Sequence, residues 1–214
     1  MSIGQHPKES TLGKAIYQLA KQFDVNTIID IGTWNGMGTT KCAIDGLLES
    51  KKVFYKLISL ECNKAIHEEA KNNLVESLNY NIILLHGTIT DYTELEPLQT
   101  NLIWGSRIKG QWVEQKESIP IALNWLAQDI EHLKTTPNVL RLIPKVIDLL
   151  IIDGGEFSGF LEFQKLWTRC KYIALDDINS YKNYQTRKYI IENPDKFTIL
   201  LDDIENNCFI CKKI

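Results

Sequence analysis

Thr27-Ile-Ile-Asp-Ile-Gly-Thr-Trp-Asn-Gly-Met-Gly38 is the stretch that decides the fold. A β-branched run from Thr27 stops at Gly32, and apolar residues at helical period follow through Ala43, Ile44, Leu47 and Leu48. Strand, glycine turn and helix open a βαβ unit. Upstream, Leu12, Ala15, Ile16, Leu19, Ala20 and Phe23 share one helical face and predict an amphipathic helix. Downstream, Val53 to Leu60 predicts a second strand ended by Glu61. Asn63 is placed to cap a helix carrying Ile66, Ala70, Leu74 and Leu78, and Asn81 to Leu85 predicts a third strand.

The alternation breaks for about sixty residues and then resumes. Ile147 to Ile152 predicts strand four, ending at Asp153-Gly154-Gly155, and a helix with Phe160, Phe163, Trp167 and Cys170 on one side follows. Tyr172 to Leu175 predicts strand five, ending at Asp176-Asp177. Phe197–Leu201 and Cys208–Lys212 are too close for a crossover helix, so they should pair as an antiparallel hairpin. No repeat or Gly/Ser/Pro-rich linker divides the chain. The expectation is a single α/β domain over residues 1–214: a doubly wound, mostly parallel sheet with a C-terminal antiparallel hairpin. Residues 96–143 form an insertion expected to serve as a lid or acceptor pocket.

Composition narrows the class of function. The 214 residues are 44% hydrophobic, enough for a sizeable core, and 24 Lys and Arg stand against 27 Asp and Glu, a net charge of −3. No nucleic-acid partner is expected from that balance. Met1 to Ser10 lacks the apolar core of a signal peptide, and no run reaches the roughly 20 apolar residues of a membrane span. An odd five cysteines fits reduced thiols and a cytoplasmic location, with no membrane partner. Cys208 and Cys211 should point to opposite faces of their strand, which opposes a zinc site. Oligomeric state is left open, a homo-oligomer included.

In open α/β sheets, ligands bind beyond the carboxyl ends of the strands. Gly32, Gly36 and Gly38 stand after strand one, where a backbone can approach a ligand closely, and Glu61 after strand two suits a pair of ribose hydroxyls. Together they favour a nucleoside-bearing cofactor. The spacing G-x-x-x-G-x-G also occurs in short-chain dehydrogenases that use NAD(P), and Tyr184-Gln-Thr-Arg-Lys188 supplies a Y-x-x-x-K. Context opposes that alternative. An Asn-Ala-Gly turn would be expected where Asp153-Gly154-Gly155 stands, and the serine expected on strand five is absent, Lys171 and Tyr172 standing there instead. A non-catalytic nucleoside-binding module is the second alternative.

Asp30-x-Gly32-x-x-x-Gly36 after a β-branched strand resembles motif I of class I S-adenosylmethionine-dependent methyltransferases. Glu61 resembles their ribose-binding acid, and His86 to Asp91 falls where their third strand ends beside adenine. The resemblance spans roughly residues 10–95 and 145–214 and implies a Rossmann-like fold. It implies S-adenosyl-L-methionine (SAM) as cofactor, held by Asp30, Gly32, Thr33, Gly36, Gly38, Glu61, Thr88 and Asp91.

Asp153 ends strand four and Asp176 and Asp177 end strand five, about 5 Å apart if those strands are neighbours and about twice that if one intervenes, so they repel one another unless a cation or water compensates them. Oxygen-rich, partly hydrated sites suit Mg2+. The pattern is similar to the metal-dependent O-methyltransferases of the catechol and macrocin-like types. That similarity implies a metal site at Asp153, Asp176 and Asp177, with Asp153 also catalytic. It implies a general base at Glu156, where those branches carry Lys or His, although a carboxylate there could equally be a fourth oxygen of the metal site. The expected reaction is methyl transfer to a hydroxyl of a small molecule or sugar.

In the insertion, Ile119, Leu123, Leu126, Ile130 and Leu133 predict a helix started near Ser118 and Pro120. Trp125 is expected to pack that helix onto the body, and Trp104 and Trp112 to wall a substrate site. Arg107, Lys109 and Lys116, offset by Glu114 and Glu117, make only a weak basic patch. His86 is expected to be packed or hydrogen-bonded.

Overall fold

Ser10 starts the first helix of the computed structural model, which describes residues 6–99 and 118–214: its hydroxyl accepts the Gly13 N–H at 3.0 Å and caps α1 (Thr11–Lys21). β1 (Thr27–Ile31), α2 (Thr39–Glu49), β2 (Lys56–Glu61), α3 (Lys64–Asn73) and β3 (Ile82–His86) follow. The Asn63 side chain caps α3 by accepting from the N–H groups of Ala65 and Ile66, as its position predicts. A short α4 (Tyr92–Leu95) leads into a 3-10 turn, and α5 (Ser118–Thr135) lies on the far side of the undescribed stretch. β4 (Ile147–Ile152), α6 (Gly159–Leu166), β5 (Cys170–Asp176), α7 (Tyr184–Ile191), β6 (Phe197–Asp203) and β7 (Cys208–Lys213) complete the chain.

The seven strands run in the order β3-β2-β1-β4-β5-β7-β6, parallel through β5 and antiparallel for the β6–β7 hairpin. The parallel body and the closing antiparallel hairpin are those the sequence predicts. The order places β1 and β4 side by side at the centre, each followed by a crossover on the opposite side, so the ends of β1, β2 and β4 open on one crevice. β4 shows why the centre holds. Ile147 and Leu149 to Ile152 are all fully buried, at about 1.5–3 kcal/mol of apolar transfer for each large side chain.

Side-chain alternation divides the core between the two faces. Leu57, Leu149, Ile151 and Ala174 pack with α1 and α2 on one face; Ile58, Leu150, Ile152 and Ile173 pack with Phe163 and Leu166 of α6 on the other. Cys208 belongs to the first cluster and Cys211 to the second, so the C-x-x-C is split across the sheet as its strand geometry requires. A third cluster joins Leu95 of α4 to Ala122, Leu126, Ile130 and Leu133 of α5 and to Phe157.

Several local expectations shift. α1 ends at Lys21 because Gln22 turns to extended backbone, leaving Phe23 outside the helix and exposed. β2 begins at Lys56, so Val53 and Phe54 sit exposed in the preceding loop, and Cys170 opens β5 instead of closing a helix. Trp125 points outward, 43% exposed, because the packed face of α5 is the one carrying Ala122, Leu126 and Ile130. Trp104, Trp112, Arg107, Lys109, Glu114, Lys116 and Glu117 lie outside the described residues. Among the described residues, no helix is long and apolar enough to cross a membrane.

Candidate functional site

Backbone geometry at the end of β1 builds the site. Gly32 adopts φ +103°, and a Cβ there would fall 2.1 Å from the Asp153 carbonyl oxygen, so only glycine lets β1 and β4 end this close together. The N–H groups of Gly32 and Thr33 donate to the Leu60 carbonyl at 3.0 and 2.9 Å, turning the chain across the end of β2. Trp34 follows at φ +50°, an uncommon conformation for an aromatic residue, and exposes its ring at the mouth of the crevice. The reward for that strain is visible: its N–H donates to Glu61 Oε2 at 2.9 Å. Asn63 N–H donates to the other oxygen, Oε1, at 2.8 Å. Burial raises the Glu61 carboxyl's pKa, and these two backbone donors oppose the rise. Glu61 is thereby fixed in orientation at the end of its strand.

Two cavities adjoin here, sharing Gly32, Trp34, Asp153 and Gly154. The first, about 250 Å3, is walled by Glu61, Ile66, Thr88, Leu133, Asp129 and Glu162 among others. The second, about 200 Å3, is reached by Thr33, Gly38, Thr39, His6 and Lys182. Of the expected cofactor residues, Gly32, Glu61 and Thr88 wall the first cavity, and Gly32, Thr33 and Gly38 the second. The Thr88 hydroxyl is used locally, donating to the Thr90 carbonyl at 3.0 Å.

Three expected residues stand elsewhere. Asp30 is fully buried beneath the floor, where Thr40 and Ser59 hydroxyls donate to its Oδ2 at 2.5 and 2.8 Å; burial pushes its carboxyl up to about 6. Gly36 (φ +81°) is a packing position, since a Cβ there would meet Leu74 Cδ1 at 2.6 Å. Asp91 forms a capping box with Glu94 at the start of α4 and accepts from Asn138 Nδ2 at 2.9 Å. Asp30, Gly36 and Asp91 wall neither of these two cavities: Asp30 is held by side-chain hydroxyls, Gly36 packs against Leu74 and Asp91 caps α4. His86 packs beside His67, its Nε2 3.0 Å from the Cys62 carbonyl.

The acids after β4 and β5 do converge, and the cation between them belongs to the chain. Lys182 Nζ lies 2.8 Å from Asp177 Oδ2, 3.3 Å from Asp153 Oδ1 and 3.7 Å from Asp176 Oδ2. His6 Nε2 lies 3.0 Å from the other Asp176 oxygen. Burial pushes the Asp153 carboxyl well up, against the pull of Lys182. Burial pushes Asp176 the same way, but the His6 hydrogen bond and the Lys182 charge hold it below the usual carboxylate range. The His6 imidazole is raised by that same hydrogen bond. Burial alone would lower the Lys182 ammonium; the charges of Asp153, Asp177 and Asp176 outweigh it and raise the group, so Lys182 stays protonated through neutral pH.

His6, Asp153 and Asp176 bring ligand atoms within 4.8 Å of one another, a donor set that on chemistry alone suits a divalent ion. The expected set of Asp153, Asp176 and Asp177 does not fit Mg2+ in this arrangement, because Lys182 stands among them and their oxygens, Asp176 Oδ2 excepted, already have partners. Asp153 Oδ2 accepts from the Thr39 hydroxyl at 3.3 Å, Asp177 Oδ1 accepts from Asn207 Nδ2 at 2.8 Å, and Lys182 faces one oxygen of each acid. Glu156 borders this group without walling either cavity. Burial pushes its carboxyl up to about 7, Lys182 opposes that rise, and its Oε1 has no hydrogen-bond partner.

Lys182, His6, Asp129 and Glu162 escaped the reading of the sequence. Asp129 and Glu162 come from two different helices and converge only on the wall of the first cavity, so no spacing marks them. Burial pushes Asp129 up to about 6 and Glu162 up to about 7. Lys182 left one trace: three clustered acids require a cation, and a lysine follows Asp177 within the same loop.

A mostly parallel seven-stranded sheet ending in an antiparallel hairpin is a Rossmann-like fold, shared with solved structures of methyltransferases. Comparison with solved structures gives that result. An O-methyltransferase from Bacillus cereus in complex with S-adenosylhomocysteine (SAH) is similar over 99% of this chain and 84% of its own, with a TM-score of 0.57 and 15% identity. The O-methyltransferase TomG from Streptomyces achromogenes, involved in tomaymycin synthesis and in complex with SAM, matches 94% of this chain and 78% of its own, with a TM-score of 0.54 and 11% identity. An rRNA methylase from Streptococcus thermophilus matches 92% and 93%, with a TM-score of 0.50 and 12% identity. No protein-family model matches the sequence, and no curated protein matches it.

Proposed function

We propose that this chain is a SAM-dependent methyltransferase acting on an oxygen of a small-molecule acceptor. The observation that carries the reading is Glu61: an acid at the end of β2, pinned by the Trp34 and Asn63 N–H groups and facing a cavity of about 250 Å3. A carboxylate fixed in this way can accept from both hydroxyls of a ribose. The solved structures bound to SAM or SAH support the same choice of ligand.

SAM supplies an electrophilic methyl group on a sulfonium, and transfer needs mainly an in-line approach by the acceptor. Glu61 and the walls of the first cavity hold the nucleoside end; Gly32, Thr33 and Gly38 line the passage to the second cavity, where the acceptor sits. Asp153 stands at the junction of the two cavities, placed to orient the groups that meet there. Glu156 is the candidate base, since a carboxyl raised to about 7 can hold a proton near neutrality; as it walls neither cavity, it takes the acceptor proton by relay and not by direct contact. Mg2+ assistance is left out of this reading because Lys182 already compensates the acids. The second cavity, about 200 Å3, suits a small molecule. α5, which contributes Asp129, His132 and Leu133 to the first cavity, acts as its lid.

Calorimetry with SAM, SAH and NADPH tests the donor: SAM and SAH should bind, and binding of NADPH alone would sink the proposal. With methyl-tritiated SAM, label should pass to small hydroxylic compounds and not to rRNA. Asp153→Ala should abolish turnover while SAH still binds; unchanged turnover would point to a site elsewhere.

A further inference from the structure

Lys182 is held in place by the loop that carries it. Its backbone N–H donates to the Ser180 hydroxyl at 3.2 Å, and Ser180 is itself tied to the Asp177 carbonyl. Asn183, the next residue, donates through Nδ2 to the carbonyls of both Ile152 and Asp176, at 3.0 and 2.7 Å, clipping this loop across the ends of β4 and β5. Gly159 lets the loop pass so closely that a Cβ there would lie 2.2 Å from the Lys182 carbonyl oxygen. The side chain is 8% exposed, so much of the entropy cost of immobilising a lysine is met by the fold.

An ammonium has three N–H donors and no acceptor. Three carboxylates stand within 4 Å of it: Asp177 and Asp153 at hydrogen-bonding range, 2.8 and 3.3 Å, and Asp176 at 3.7 Å as a charge contact only, its Oδ2 having no hydrogen-bond partner. We propose that Lys182 is a built-in cation: it occupies the place a divalent ion would need among Asp153, Asp176 and Asp177, and so makes the acceptor end of the site metal-independent. Turned to Asp177 and Asp153, Lys182 is a positioning residue, acting on the acceptor through Asp153, the one of the three that walls both cavities. A single fixed charge compensates the cluster less fully than a dication, and His6 beside Asp176 supplies the remainder.

The inference rests on the geometry of the cluster and not on the donor, so it can be tested without SAM. Mn2+, a paramagnetic stand-in for Mg2+, is titrated into the full chain and followed by electron paramagnetic resonance. The unaltered protein should show no saturable binding up to millimolar Mn2+, and Lys182→Arg should behave the same way. Lys182→Ala frees three carboxylates and an imidazole and should gain one saturable site at least tenfold tighter than any binding by the unaltered protein. Asp176→Asn added to that variant should remove it. Saturable Mn2+ binding by the unaltered protein that disappears in Asp153→Asn would overturn the proposal, and so would a folded Lys182→Ala that binds no Mn2+. If Lys182→Ala does not fold, the titration of the unaltered protein decides, with Lys182→Gln as the second variant. SAH calorimetry run alongside reports separately on the donor reading.

Discussion

Glu61 shows how much a single carboxylate depends on its neighbours' backbones. Its two hydrogen bonds come from residues on either side, Trp34 in the turn after β1 and Asn63 at the cap of α3. Removing the acid deletes the hydroxyl acceptor and leaves the Trp34 and Asn63 N–H groups unpaired. Hydrogen bonds to a charged group contribute about 1.5–3 kcal/mol, so Glu61→Ala should weaken SAH binding by roughly tenfold to a hundredfold in calorimetry. Glu162 makes a different prediction. Its carboxyl is pushed up to about 7 from an ordinary 4.5, chiefly by burial, so the folded chain holds a proton there that the unfolded chain has released. That contribution to stability is complete below about pH 4.5 and is lost as pH rises through 7. Glu162→Gln cannot titrate; its Tm should therefore fall less than that of the unaltered protein between pH 5 and pH 8. A chain of this size shifts by about 2–4 °C for each kcal/mol, so scanning calorimetry resolves the change. An equal pH dependence in both proteins would show that Glu162 is ionised in the fold.

At the scale of elements, α5 is the piece whose role depends on what it covers. It packs on α4 through Leu126 and Ile130 and lends Asp129, His132 and Leu133 to the first cavity, while the seven-stranded sheet forms without it. Ile130→Asp should thus leave the far-UV circular dichroism of the sheet in place yet weaken SAH binding at least fivefold; unchanged affinity would remove α5 from the donor wall. This helix also marks how far the sequence could be read. Its apolar period predicts Leu126, Ile130 and Leu133 as the packed face, and β4, a run of apolar residues with one acid, is predicted to the residue. Period says which face is buried, not which polar residue on the border of that face looks into a cavity. Asp129 is next to Ile130 in the chain, and only the docking of α5 against Gly155 makes it part of a wall. Asp30 and Asp91 show the converse. Both lie in stretches that carry a resemblance, yet one anchors the floor and the other caps a helix, since acids at strand ends and helix starts have local hydrogen bonds to satisfy.

Over the whole molecule, stability is graded from the middle of the sheet outward. β1, β4 and β5 are flanked by strands on both sides and covered on both faces, whereas β6 is an edge strand whose middle residues Thr198 to Leu200 are exposed. Amide exchange should therefore be slowest in Ile29, Leu150 and Ile173 and at least a hundredfold faster in β6. Uniform exchange across the sheet would contradict that gradient. The cysteines follow the same map. Cys42, Cys170, Cys208 and Cys211 are buried in the two faces of the core, and only Cys62 is partly exposed, at the wall of the first cavity. Burial pushes its thiol well up, so the reactive thiolate is scarce at neutral pH. Alkylation should therefore be slow, confined to this one sulfur, and slower still once SAH fills the space beside it. Mass spectrometry of that single adduct against ligand concentration would yield a dissociation constant with no acceptor in hand: the protein carries, in one ordinary thiol, its own gauge of whether the donor chamber is full.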